Sequence, residues 1–135
     1  MENISVLLIE DNKDDEWLEL RAFKKIGLKN FTVARDGITA LTILLGNQKT
    51  GEGVSCTPDI IFLDLRLPKI DGIDVLKKIR AVGLMDHIKV FVLSSSEDPH
   101  DMNVCKQLGA LEFFYKPIDN KAALMLSELC KKHKE

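Results

Sequence analysis

The sequence is poor in the features that mark several protein classes. Its three cysteines, Cys56, Cys105 and Cys130, are odd in number, far apart and without a CxxC pair. That leaves neither a disulfide framework nor a zinc site to read, and points to reduced thiols in a cytoplasmic protein. No segment approaches the roughly 18 consecutive apolar residues of a membrane span, and the opening run MENISVLLIED turns acidic too early for an export signal. A dominant charge is missing too. The 19 basic side chains face 21 acidic ones for a formal net charge of -2, and no stretch gathers Lys and Arg into the stripe that a nucleic-acid backbone requires. No internal repeat, low-complexity tract or linker divides the 135 residues. One domain over 1–135, with no output domain after it, is the expectation.

What is present is an alternation. Short aliphatic or β-branched runs at 4–9, 31–34, 60–63, 88–93 and 111–115 are separated by segments in which apolar residues recur three and four apart. Ile38, Leu41, Leu44 and Leu45 form one such series, and Ala122, Met125, Leu126, Leu129 and Cys130 another. Continuous apolar runs suit strands covered on both faces, so the pattern reads as an α/β domain with a helix after each parallel strand. Asp98 followed by Pro99 reads as N-cap and first helical position of the fourth helix, and Gly109 stands where a left-handed cap closes it. The stretch 46–58 reads as a surface loop. With right-handed crossovers, (βα)5 fits a doubly wound sheet of order 2-1-3-4-5, whose ligands lie beyond the carboxyl ends of the strands.

Those ends collect chemistry: Glu10 and Asp11 after the first strand, Asp64 after the third, Ser94 after the fourth and Lys116 after the fifth. A single acid there is most simply a helix cap, but the whole set is not. Carboxylates a few Å apart repel by several kcal/mol per pair at an effective dielectric of about 20, so the cluster persists only if a cation or a proton neutralises it. A hard divalent ion, Mg²⁺, with oxygen ligands and room for a phosphoryl group, satisfies it. Lys116 and Ser94 would then face phosphoryl oxygens and Asp64 would be the nucleophile.

These residues lie in motifs that resemble the response-regulator receiver family over nearly the whole chain: VLLIED at 6–11, IIFLDLRLPKIDG at 60–72, FVLSSS at 91–96 and FFYKP at 113–117. The resemblance implies a flavodoxin-like fold, Asp64 as phospho-acceptor, and Mg²⁺ held by Glu10, Asp11, Asp64 and the backbone carbonyl of Arg66, Asp11 more directly than Glu10. It implies Lys116 as the phosphate-binding lysine, with a cis bond to Pro117, and Ser94 and Phe113 as switch residues. A sensor histidine kinase would supply the phosphoryl group, a downstream protein target would read it, and the face of the fourth helix, fifth strand and fifth helix would bind that target or a second copy. The form EDN-x-x-D is similar to short regulators that partner phytochrome-type and hybrid kinases. Such a chain is a signalling switch that catalyses only its own phosphorylation and dephosphorylation.

Other patterns are set aside. A calcium loop from Asp11 would put Lys13 at a ligand position, Glu16 where glycine is needed and Ala22 where glutamate belongs. Asp14, Asp15 and Glu16 read as first-turn helix acids, Trp17 as packing or a partner contact, and His87, His100 and His133 as surface residues. Ser95 and Ser96 read as a strand-to-helix loop, and the terminal KKHKE as a solvated tail. An aspartyl-phosphate phosphatase would want an acid two residues past the nucleophile, where Arg66 stands. A flavin module would want a phosphate nest in place of the acidic first loop.

Overall fold

The computed structural model describes residues 3–46, 53 and 57–134. Strands β1 (Ser5–Ile9), β2 (Asn30–Ala34), β3 (Ile60–Asp64), β4 (Lys89–Ser94) and β5 (Glu112–Tyr115) alternate with helices α1 (Lys13–Lys25), α2 (Gly37–Leu45), α3 (Gly72–Ala81), α4 (Pro99–Gln107) and α5 (Asn120–Lys134). Among the described residues the strands form one sheet in the order β2-β1-β3-β4-β5, and every pairing is parallel. The expected flavodoxin-like doubly wound α/β fold is therefore the observed one. A single 3₁₀ turn at Leu84–Asp86, which the periodicity does not predict, follows Gly83 in the left-handed region and leads into β4.

The pleat divides the core in two. Val6 and Leu8 point to one face with Phe23, Phe62, Phe91, Phe114 and Leu126, while Leu7 and Ile9 point to the other with Leu44, Leu76, Ile79, Val92, Cys105 and Phe113. Helices α1 and α5 thus cover the first face and α2, α3 and α4 the second. Central β3 is buried at every position, as its unbroken apolar run demands, whereas edge strand β2 is mostly half-buried. Each large aliphatic or aromatic core side chain contributes about 1.5–3 kcal/mol of transfer free energy.

Local signals set the helix limits. Asn12, Asp36 and Asp98 cap α1, α2 and α4 by accepting backbone N–H groups of Asp15, Thr39 and His100. Gly109, at φ 101°, ends α4 as expected. Its N–H donates to the Lys106 carbonyl and that of Ala110 to the Cys105 carbonyl, a paired closure that an L-residue at this φ would strain.

Candidate functional site

Because the strands are parallel, all five carboxyl ends open on one edge of the sheet. Ile9 pairs with Leu63, Asp64 with Leu93 and Ser94 with Tyr115, so the residues at and just past these positions share one level. Asp64 and Ser94 are the last residues of their strands rather than the first beyond them. The ladder continues one step further: Glu10 N–H donates to the Ala34 carbonyl and Lys116 N–H to the Ser94 carbonyl, each at 2.9 Å. Gly72 opens α3 hard against this edge. A Cβ there would lie 2.4 Å from the Asp64 carbonyl oxygen, so only glycine lets the helix start so close to the Asp64 peptide.

Glu10 and Asp64 are buried, at 0% and 4% exposure, and Asp11 is exposed. One carboxylate oxygen from each of the three lies within 4.8 Å of the others. Lys116 Nζ reaches into the cluster, 2.7 Å from Glu10 Oε1, 3.2 Å from Asp64 Oδ2, 3.0 Å from Asp15 Oδ2 and 3.9 Å from Glu19 Oε2. Glu10 Oε2 accepts the Asn12 N–H and Asp64 Oδ1 the Arg66 N–H. The Lys116–Pro117 bond is cis, as the resemblance implies.

Burial, a hydrogen bond with Glu10 and the repulsion of its carboxylate push the Asp64 carboxyl up to about 7, against the pull of Lys116 and the Arg66 N–H. The same influences, burial first, lift Glu19 to about 10. Burial alone would lower Lys116, but Glu10, Asp64 and Asp15 hold its ammonium above the usual lysine range. One ammonium is thus shared among several carboxyl groups, two of which are driven toward protonation. This donor set, oxygen only and short of positive charge, fits a hard divalent cation at Glu10, Asp11 and Asp64.

The other expected residues fall beside it. Ser94 is fully buried and its Oγ accepts the Ser96 N–H at 3.0 Å, while Ser96 Oγ donates to Asp101 at 2.7 Å. That bonding explains Ser95 and Ser96 as a loop leading into α4. Phe113, 7% exposed, packs in the core with its ring edge-on to Tyr115 at 5.4 Å. His87 and His100 are exposed, and the side chain of His133 lies outside the described residues. So do most of the expected loop at 46–58 and Cys56. Cys105 and Cys130 are free and buried, and burial pushes the Cys105 thiol up to about 11.

Two site residues are not found by motif and strand-end position alone. Asp15 reads as one of the first-turn acids, and Glu19 has no motif to mark it. Asp15, Glu19 and buried Phe23 lie four apart on one stripe of α1. A glutamate in the inward stripe, one turn before a core phenylalanine, is the signal that finds it.

A family model described as the response regulator receiver domain matches residues 6–127. The response regulator Rcp1 of Synechocystis sp. is 36% identical over 99 residues, which span 72% of this chain and 65% of that protein. A solved Mn²⁺-bound form of response regulator Rcp1 superposes with a TM-score of 0.74 at 28% identity, covering 93% of this chain and 91% of that one. The bacteriophytochrome response regulator AtBRR is 34% identical with a TM-score of 0.74, over 96% and 92% of the two chains. The phosphorylated cyanobacterial phytochrome response regulator RcpA is 27% identical with a TM-score of 0.77, over 98% and 94%. Among the described residues no helix is long and apolar enough to cross a membrane.

Proposed function

This chain belongs to the response-regulator receiver domain family, and from that premise we propose that it is a stand-alone phosphorylation switch of a two-component system, with Asp64 as its phospho-acceptor. The observation that carries the reading is Lys116 Nζ, 3.2 Å from Asp64 Oδ2, within a cluster of acids at the strand ends. An oxygen of the Asp64 carboxylate forms a bond to phosphorus as the phosphorus–nitrogen bond of a kinase phosphohistidine breaks. The departing imidazole nitrogen keeps the electron pair and takes a proton. Lys116, already beside that carboxylate, meets one phosphoryl oxygen, and the Ser94 hydroxyl turns from the Ser96 N–H to donate to another. Glu10, Asp11, Asp64 and the Arg66 carbonyl would hold Mg²⁺, which neutralises the acids and draws charge from the phosphoryl oxygens.

The phosphoryl donor is a sensor histidine kinase, and the switch works in the cytoplasm. A phytochrome-type partner is favoured by the likeness to AtBRR and RcpA, whose names carry that association. Output passes through the face of α4, β5 and α5, to a protein target or a second copy.

Incubation with Mg²⁺ and acetyl phosphate, followed by intact-mass measurement and peptide mapping, tests the reading. One phosphoryl group on Asp64, absent in Asp64→Asn, is the expected result. Label on Ser95 or Ser96, or retained in Asp64→Asn, would overturn it.

A further inference from the structure

Helix α1 works on both sides. Its inward stripe delivers Asp15 and Glu19 to the site, while its outer side forms one wall of a groove of about 740 Å³ at the β2 edge of the molecule. Lys13, Trp17, Arg21 and Lys24 recur at helical spacing along this wall, Lys25 flanks them, and Arg35 closes the far side from just past β2. All six are exposed. In a chain of net charge -2 this groove collects five cations and a single carboxylate, Glu16, which is already bound to Arg35 at 3.0 Å. Trp17, the chain's one tryptophan, is 60% exposed, with the Arg21 guanidinium 5.3 Å from its ring centroid. Leaving a large aromatic uncovered among cations is unfavourable for an isolated surface and typical of a binding anchor.

The layout selects the occupant. Four of the cations are strung over about 18 Å of helix, at 1.5 Å per residue, and do not converge on one point as a mononucleotide phosphate would need. Half-covered Leu20 in the floor and the Trp17 ring add an apolar contact amid the charges. The planar Arg21 guanidinium, placed over the Trp17 ring, has the fork geometry that matches a carboxylate bidentately. The geometry points to this groove as a docking site for an acidic segment of a partner protein: several Asp or Glu along one side, with one aromatic or large aliphatic residue seated on Trp17. It lies apart from the α4–β5–α5 face and its lining includes none of the strand-end acids, so a partner can dock there without phosphorylation of Asp64.

Trp17 reports its own occupancy. The test titrates the full chain, in EDTA and without phosphoryl donor, with a synthetic glutamate-rich peptide of about 12 residues carrying one leucine and no tryptophan, and reads intrinsic fluorescence. Saturable change in Trp17 emission is expected, weakened about tenfold or more in the charge-reversed pair Arg21→Glu with Lys24→Glu, and little altered in Lys77→Glu with Lys78→Glu on α3. Circular dichroism and thermal melting of each variant establish that it is folded. Equal weakening in the two pairs would reduce the effect to general charge attraction and overturn the site. So would an unchanged emission, or tighter binding of a single-stranded oligonucleotide or of a nucleoside diphosphate than of the peptide.

Discussion

Lys116 Nζ sits 2.7 Å from Glu10 Oε1, although 106 positions separate the two residues along the chain. Parallel pairing brings them together. Glu10 leaves β1 and Lys116 leaves edge strand β5, with β3 and β4 between, and both side chains converge on Asp64 over the strand ends. The pair is buried, Glu10 fully and the lysine side chain to all but 11% of its surface.

Replacing Lys116 by Met should therefore destabilise the metal-free protein by about 3–5 kcal/mol, the usual cost of removing one partner from a buried charge pair. Mg²⁺ should recover part of the loss by supplying positive charge to the same acids. Urea unfolding in EDTA and in Mg²⁺ measures both; equal losses in the two media would mean that the lysine contributes only packing.

Asp11 stands in contrast, since it is exposed and adds repulsion to Glu10 and Asp64. In Asp11→Ala the melting temperature in EDTA should hold or rise, while Mg²⁺ affinity falls about tenfold or more. Calorimetric titration with Mg²⁺ checks the second half. A clearly lowered melting temperature with unchanged affinity would make Asp11 structural.

The raised carboxyls set a pH dependence. Asp64 titrates at about 7 and Glu19 at about 10 in the folded protein, both above their ordinary values, so the folded state keeps protons that the unfolded chain releases. Stability in EDTA should fall as pH climbs from about 5 to about 8, because the unfolded state binds fewer protons over that window. Lys116, shifted above the usual lysine range, stays charged in both states there and adds no slope. Glu19→Gln should flatten the decline and raise the melting temperature at about pH 8 relative to the parent. An unchanged decline with a lowered melting temperature in that variant would show that the Glu19 carboxyl is ionised and stabilising.

Phosphorylation should be read out unevenly. Phe113 already sits inward, so its ring has little further to travel, and the larger response belongs to the Ser94–Ser96 bond and the α4 loop that it anchors. Beryllofluoride should move amide resonances across residues 94–130 more than those at 15–45, and Ser94→Ala should shrink the response while Asp64 still accepts a phosphoryl group. Comparable shifts over both regions would place the switch elsewhere.

Much of this architecture is legible in the amino-acid order itself. The five apolar runs correspond to five strands, each within a residue of its expected limits, because buried parallel strands write themselves as unbroken aliphatic stretches. Asp64 and Ser94 read as lying one residue past their strands because polar residues that close a buried strand look like the start of a loop. Glu19 escapes because its identity reads as solvent-facing, and only its phase relative to Phe23 shows that it turns inward. The 3₁₀ turn at Leu84–Asp86 is too short to carry a period.

The order of synthesis gives the lysine's position a further meaning. A chain emerging N-terminus first presents Glu10, Asp15, Glu19 and then Asp64 well before the single ammonium that they share. Until β5 is laid on the open edge of β4, the nascent sheet carries acids whose mutual repulsion opposes the docking of α1. The last strand is a latch: adding it completes the sheet and brings in the ammonium that eases the repulsion, so a ribosome-bound fragment that stops short of Lys116 has neither a finished edge nor an assembled site.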